Sequence, residues 1–141
     1  KFNPIDELNV NHVKDRRTNY NKIIPSINFN TDFLSKNIKE LIKISKELEI
    51  NPIFVTQRTA RWKLNNNQVY SILEYDYYSR EKIISETILK ICEKYKLICI
   101  DGFNQLNLNN EDTYDLVHTN PEGSKKIANF IFKSLQKEGF K

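Results

Sequence analysis

The chain has 141 residues, 39% of them in the hydrophobic set and 28% charged, within the range of one soluble globular domain. Its apolar runs at residues 52–55 and 97–100 fall far short of the roughly 18 consecutive apolar residues of a membrane-spanning helix, so no span is expected here. A net charge of +4, with basic clusters at Lys14, Arg16 and Arg17 and at Arg58, Arg61 and Lys63, admits an anionic partner without requiring one.

Residues 1–30 are polar and mixed, punctuated by Pro4 and Pro25, and read as a loop-rich entry segment. There is no methionine and no charged-then-apolar leader, so the natural N-terminus is expected to lie upstream of Lys1. From Thr31 or Asp32, Leu34, Ile38, Leu41, Ile42 and Leu48 recur at helical spacing and predict an amphipathic helix. Pro52-Ile53-Phe54-Val55-Thr56 follows a turn and predicts an inner parallel strand buried on both faces.

Residues 57–80 read as a long loop with some helix. Ile84, Ile88, Ile91 and Tyr95 then line one face of a helix over residues 80–95, and Leu97-Ile98-Cys99-Ile100 predicts a second buried strand. The last helix opens near Asn120 and Pro121, runs through Ile127, Ala128, Ile131 and Leu135, and ends before Gly139. Helix, strand, helix, strand, helix over residues 31–141 is the alternation of an α/β protein with a parallel sheet. Two parallel strands cannot cover three amphipathic helices, so the rest of the sheet is expected upstream or from a partner chain. Cys92 and Cys99 lie in apolar runs and read as buried, unpaired thiols, a usage that tilts toward a reducing, cytoplasmic compartment.

In open α/β sheets, ligands bind beyond the carboxyl ends of the strands. Residues 56–58, Asp101 onward and residues 115–120 all belong to that edge. Within it, Asp115 and His118 are three residues apart in a turn, so the carboxylate can accept a hydrogen bond from one imidazole nitrogen while the other faces outward. That is the pairing of an orienting acid with a general base. The competing reading is a turn-stabilising aspartate beside a surface histidine, which a bare Asp-x-x-His match favours and its place on the sheet edge disfavours. The other histidine is His12, and no cluster of metal-ligand spacing accompanies the pair, so neither metal nor cofactor is expected.

The run Asp115-Leu116-Val117-His118-Thr119-Asn120-Pro121-Glu122-Gly123, followed by the apolar stripe Ile127, Ala128 and Ile131, resembles the last motif of the SGNH or GDSL-type hydrolases. The order of elements from Thr31 onward fits the same family. The resemblance implies a flavodoxin-like three-layer α/β/α sandwich of which this chain is the C-terminal portion, its N-terminal part missing. It also implies an ester hydrolase with His118 as general base and Asp115 as its orienting partner. A carbohydrate O-acetyl group or a small acyl ester is the substrate class it implies, cleaved by a Ser-His-Asp acyl-enzyme mechanism.

The family's Gly-Asp-Ser turn, oxyanion glycine and Gly-x-Asn-Asp motif have no counterpart. Ser26, Ser35, Ser45, Ser71, Ser79, Ser85, Ser124 and Ser134 all lack the flanking Gly and Asp, so the nucleophile is expected upstream and the chain alone is expected to be inactive. Gln57, Arg58, Arg61 and Trp62 follow a strand's carboxyl end and are candidates for substrate binding, arginine being suited to a carboxylate or phosphate; an exposed polar loop is the plain alternative. Tyr70, Tyr75, Tyr77 and Tyr78 form either an aromatic wall with Trp62 or anchors of the long connection, and half are expected to anchor. Two other functions compete: a catalytically silent interaction module that needs a partner chain, and a nucleic-acid-binding domain. The second ranks lower because no recognised binding motif is present and 18 acidic residues dilute the charge.

Overall fold

The computed structural model describes residues 20–26, 29–72 and 75–140. The basic cluster Lys14, Arg16 and Arg17, His12 and most of the entry segment lie outside them. The elements in chain order are β1 (Tyr20–Lys22), α1 (Asp32–Glu47), β2 (Ile53–Val55), β3 (Trp62–Asn65), β4 (Gln68–Ile72), α2 (Tyr77–Tyr95), β5 (Ile98–Ile100), the single-turn α3 (Gly102–Gln105) and α4 (Pro121–Lys137). A 3-10 turn at Asn110–Asp112 precedes α4.

The chain is a mixed α/β protein with two small sheets. β2 and β5 pair in parallel, Phe54 opposite Cys99, while β1, β4 and β3 form an antiparallel sheet in that order. Ile38 and Ile42 of α1 and Ile91 of α2 form a buried cluster, joined by Leu34, Phe54, Ile88, Tyr95 and Leu97. Leu34, Ile38 and Ile42 of the predicted stripe close over one face of the parallel pair, whereas Leu41 and Leu48, expected on the same stripe, are exposed.

Several expectations are corrected. The stretch between β2 and α2 is a β-hairpin: Asn66 and Asn67 both take positive φ, 48° and 59°, as a two-residue hairpin turn requires, and Leu64 then faces Val69. The alternation is therefore helix, strand, hairpin, helix, strand, helix. The entry segment contributes strand β1, whose Tyr20 lies opposite Ile72 of β4. β2 is not buried on both faces: Ile53 and Val55 are 37% and 41% exposed, because β5 is its neighbour on one edge and the other edge is open among the described residues.

Cys92 and Cys99 are not unpaired thiols. α2 ends at Lys96, in the left-handed region at φ 54°, and its reversal into β5 brings the two cysteines together with Cα atoms 6.1 Å apart, joined as a disulfide. Paired cysteines no longer tilt toward a reducing compartment. No helix of the described residues is long and apolar enough to cross a membrane.

The carboxyl end of the parallel pair is tightly knit. The Thr56 amide donates to the Ile100 carbonyl (2.9 Å), and the Thr56 hydroxyl accepts from the Phe103 amide (3.0 Å) and donates to Asp101 (3.2 Å). Gly102 has no alternative here, since a Cβ would stand 2.2 Å from the Thr56 carbonyl oxygen. Asp101 caps α3 by accepting from the Asn104 amide.

Candidate active site

The turn that carries Asp115 and His118 is bound from both ends. Thr113 and Thr119 pair as an isolated antiparallel bridge, with the Tyr114 amide donating to the His118 carbonyl (2.8 Å). The Asn120 amide donates to the Asp112 carbonyl (3.0 Å), and the Asn120 side chain caps α4 by accepting from the Gly123 amide (2.9 Å). Gly123 is buried against that same Asp112 carbonyl, from which a Cβ would be only 2.0 Å away. Lys126 adds an ion pair to Asp112 at 2.9 Å. Burial pushes the Asp112 carboxyl up, but the bonds from Lys126 and the Asn109 amide outweigh it and hold the group below its ordinary value.

At the apex, Leu116 adopts φ 76°, a region that costs a non-glycine residue of order 1 kcal/mol. Neighbours hold it there: its amide donates to the Thr113 hydroxyl (3.2 Å) and its carbonyl accepts from the Ala60 amide (3.2 Å). The bond to Ala60 ties the turn to the segment leaving β2. The resulting curl aims the Val117 and His118 amides at Asp115 Oδ1, at 3.1 and 2.8 Å. The other carboxylate oxygen lies 2.6 Å from His118 Nδ1.

The dyad is thus formed by backbone geometry. The His118 amide is the strongest influence on the Asp115 carboxyl; with the imidazole bond and the Val117 amide it outweighs slight burial and lowers the group to about 2. An ionised Asp115 is an acceptor, so Nδ1 is the donor of this bond and Nε2 is the ring nitrogen left for another partner. The His118 side chain is 78% exposed, and among the described residues no serine hydroxyl bonds its ring. Ser124 instead bonds Thr119 at 2.8 Å. Among the described residues, no group of three or more His, Cys, Asp or Glu stands together as a metal site.

Two grooves flank the dyad turn and share Val55, Gln57 and Val117. One, of about 360 Å³, continues along Ile84 and Ile88 of α2; the other, of about 300 Å³, runs past Arg58 and Thr119 to Ile127 and Ile131 of α4. Val117 and Thr119 bracket His118, so the turn sits beside the carboxyl end of β2. A cavity of about 550 Å³ around Ile23, Phe29 and Arg80 is lined by no residue of the turn, whereas the grooves are lined by Val117 and Thr119 on either side of His118, though by neither Asp115 nor His118 themselves.

Of the residues expected to bind substrate, Gln57, Arg58 and Arg61 line the grooves and Trp62 does not. Gln57 is exposed and lines both grooves. Trp62 lies on no exposed loop: it is 2% exposed on β3, packed against Tyr78 and Phe103 with ring centroids 4.8 and 5.2 Å away. Arg58 lays its guanidinium on the Trp62 ring at 4.1 Å, and Arg61 stacks on Tyr77 at 4.7 Å. Tyr78 anchors the hairpin to the core, Tyr75 stacks on Tyr77 at 4.7 Å, and Tyr70 lies on β4.

Glu81 of α2 organises this region and carries no motif that would announce it. Its carboxylate accepts from the Thr59 amide (3.1 Å), the Thr59 hydroxyl (2.5 Å) and Trp62 Nε1 (2.8 Å). Desolvation lowers the affinity of Arg58 for its proton, and the charges of Glu81 and Tyr78 partly restore it. Tyr20, also without a motif, donates to the Ala60 carbonyl (2.7 Å) and bonds Asn110, fastening β1 across the site. The sequence signal for the hairpin is limited to the Asn65-Asn66-Asn67 run, a weak turn signal between short, mixed segments.

No protein-family model matches the chain, and no curated protein sequence does. Among solved structures, it is similar to a Bacteroides fragilis protein described as a "putative acylhydrolase", with a TM-score of 0.61 and 20% identity over 79% of this chain and 54% of that one. The likeness shows a shared fold. The chain spans about half the length of that protein.

Proposed function

We propose that the chain is the histidine and aspartate portion of an SGNH-type ester hydrolase. The observation that carries the reading is the 2.6 Å contact of Asp115 with His118 Nδ1, in a turn beside the carboxyl end of a parallel strand. The fold shared with the Bacteroides fragilis protein supports it. In this reading the complete domain is a flavodoxin-like three-layer sandwich. Its further strands extend the open edge of β2 and cover Ile53 and Val55, which would otherwise leave unpaired backbone and apolar surface in water.

The nucleophilic serine and the oxyanion hole come with those strands, from outside this chain. His118 Nε2 takes the serine proton as Oγ attacks the ester carbonyl, and returns it to the departing alcohol. Asp115 keeps the ring in the Nδ1–H tautomer and stabilises the imidazolium that forms. Water then repeats the sequence and releases the acid. A carbohydrate O-acetyl or small acyl ester is the preferred substrate class.

Reaction of the full-length protein with a fluorophosphonate tests this reading. One serine outside this chain should be labelled, at a rate about 100-fold or more lower in His118→Ala, the scale of general-base assistance. Absence of labelling would instead support the silent module, in which a partner chain pairs with the open edge of β2.

A further inference from the structure

A further cavity lies on the hairpin side of Arg58. It measures about 290 Å³ and lies between the hairpin and residues 107–111, with Tyr20, Arg58, Trp62, Lys63, Asn107 and Glu111 in its wall. That volume is at the small end of the range for ligand sites, roughly 300 Å³ upward, and suits one ring-sized molecule. Arg58 lines this cavity as well as the α4-side groove beside the dyad turn, so it stands between the two.

Its side chain is held yet incompletely used. One face of the guanidinium is taken by Trp62, whose own Nε1 is committed to Glu81. Glu81 already accepts from Thr59 and Trp62, and Arg58 Nε is buried without a hydrogen-bond partner. A buried donor left without a partner is costly, and this one marks a guanidinium whose hydrogen-bonding capacity the neighbouring carboxylate does not fill. Lys63, held over the Tyr20 ring at 4.5 Å, adds a second positive charge to the same wall. Glu111 and Asn107 offer acceptors and an amide suited to hydroxyl groups rather than to a second anion.

We propose that this cavity is a subsite for an anionic sugar, whose carboxylate or phosphate is bound by Arg58 with Lys63 in support and whose hydroxyls face Asn107 and Glu111. The inference rests on the hydrolase reading for its context: a sugar seated here would lead its ester past Arg58 into the groove beside His118. The sugar is then the alcohol side of the ester.

Trp62 is the one tryptophan of this chain and lies under Arg58, so the part of the full-length protein's emission that Trp62→Phe removes reports occupancy without turnover. At fixed ionic strength, glucuronate or glucose 6-phosphate should give a saturable change in emission, and glucose a response at least about tenfold weaker. The two anions separate a carboxylate preference from a phosphate preference. Arg58→Lys should weaken binding about tenfold, because an ammonium lacks the planar fork, and Lys63→Gln severalfold. His118→Ala should leave binding unchanged. Thermal unfolding checks that each variant is folded, and Lys63→Gln remains informative should the Arg58 variant fail that check. Equal responses to glucose and both anions, or binding unaffected in every folded variant, would overturn the subsite. Because the signal needs no catalysis, its failure leaves the dyad standing, and failure of the dyad to support esterolysis leaves the subsite standing.

Discussion

The dyad turn and the Arg58 cluster sit on either side of the segment that leaves β2, and they are held by opposite means. At Asp115 and His118, exposed side chains are fixed by a dense set of backbone bonds. Around Arg58, ordinary backbone is fixed by buried side chains, with Trp62, Tyr78 and Phe103 stacked together and Glu81 gathering the donors. The first arrangement keeps the His118 ring accessible, and the second positions a cation by packing. The comparison predicts that the two regions break differently.

The largest effect is expected at the backbone contact under the turn. Gly123→Ala forces a Cβ onto the Asp112 carbonyl and should cost about 2–3 kcal/mol, at the upper end of overpacking penalties, measured by denaturant unfolding. It should also displace the Asp115–His118 pair, visible as a change in the His118 ring resonances, while Trp62 fluorescence stays the same. Next, Glu81→Ala strips the acceptor from Thr59 and Trp62 and should cost roughly 1–3 kcal/mol, the penalty of unsatisfied buried donors. Here the response reverses, with Trp62 emission changing and the His118 resonances unmoved. Equal responses of both probes to either substitution would show that the regions are one unit.

Asn120→Ala removes the cap of α4 and should cost about 1 kcal/mol by thermal unfolding. The smallest effect is a pH dependence. The Asp115 carboxyl is lowered from 3.8 to about 2 in the folded state, so its contribution to stability is present above the unfolded value and is lost as pH falls toward 2. Asp115→Asn should therefore lose less stability than the natural chain between those values. Identical acid-unfolding profiles would show that the carboxylate gains nothing from the His118 amide and ring.

The contrast also explains what was legible in the sequence. The dyad is local: Asp115 and His118 are three residues apart, and a helix-capping Asn120 with Gly123 follows, so one motif encodes the turn, its cap and the close approach. The helices were legible for the same reason, since Leu34, Ile38 and Ile42 repeat at helical spacing. The Arg58 cluster is assembled from β2's exit, β3, α2 and α3, and no spacing links Arg58, Trp62, Glu81 and Phe103. The hairpin was hidden because Trp62-Lys63-Leu64 and Val69-Tyr70-Ser71 are short and mixed, and two-residue turns rest on backbone conformation that Asn66 and Asn67 signal weakly. The reading of β2 as an inner strand followed from its unbroken apolar run. Its Ile53 and Val55 are exposed, because among the described residues only β5 pairs with β2.

The central claim is that Asp115 orients His118 as a general base. Hydrolysis of p-nitrophenyl acetate by the full-length protein and by its His118→Ala variant tests it most directly. The account predicts that kcat/KM falls by roughly a thousandfold or more, as for loss of the base in a serine-hydrolase triad. A variant that keeps its rate would contradict it and reduce the dyad to a stabilised turn.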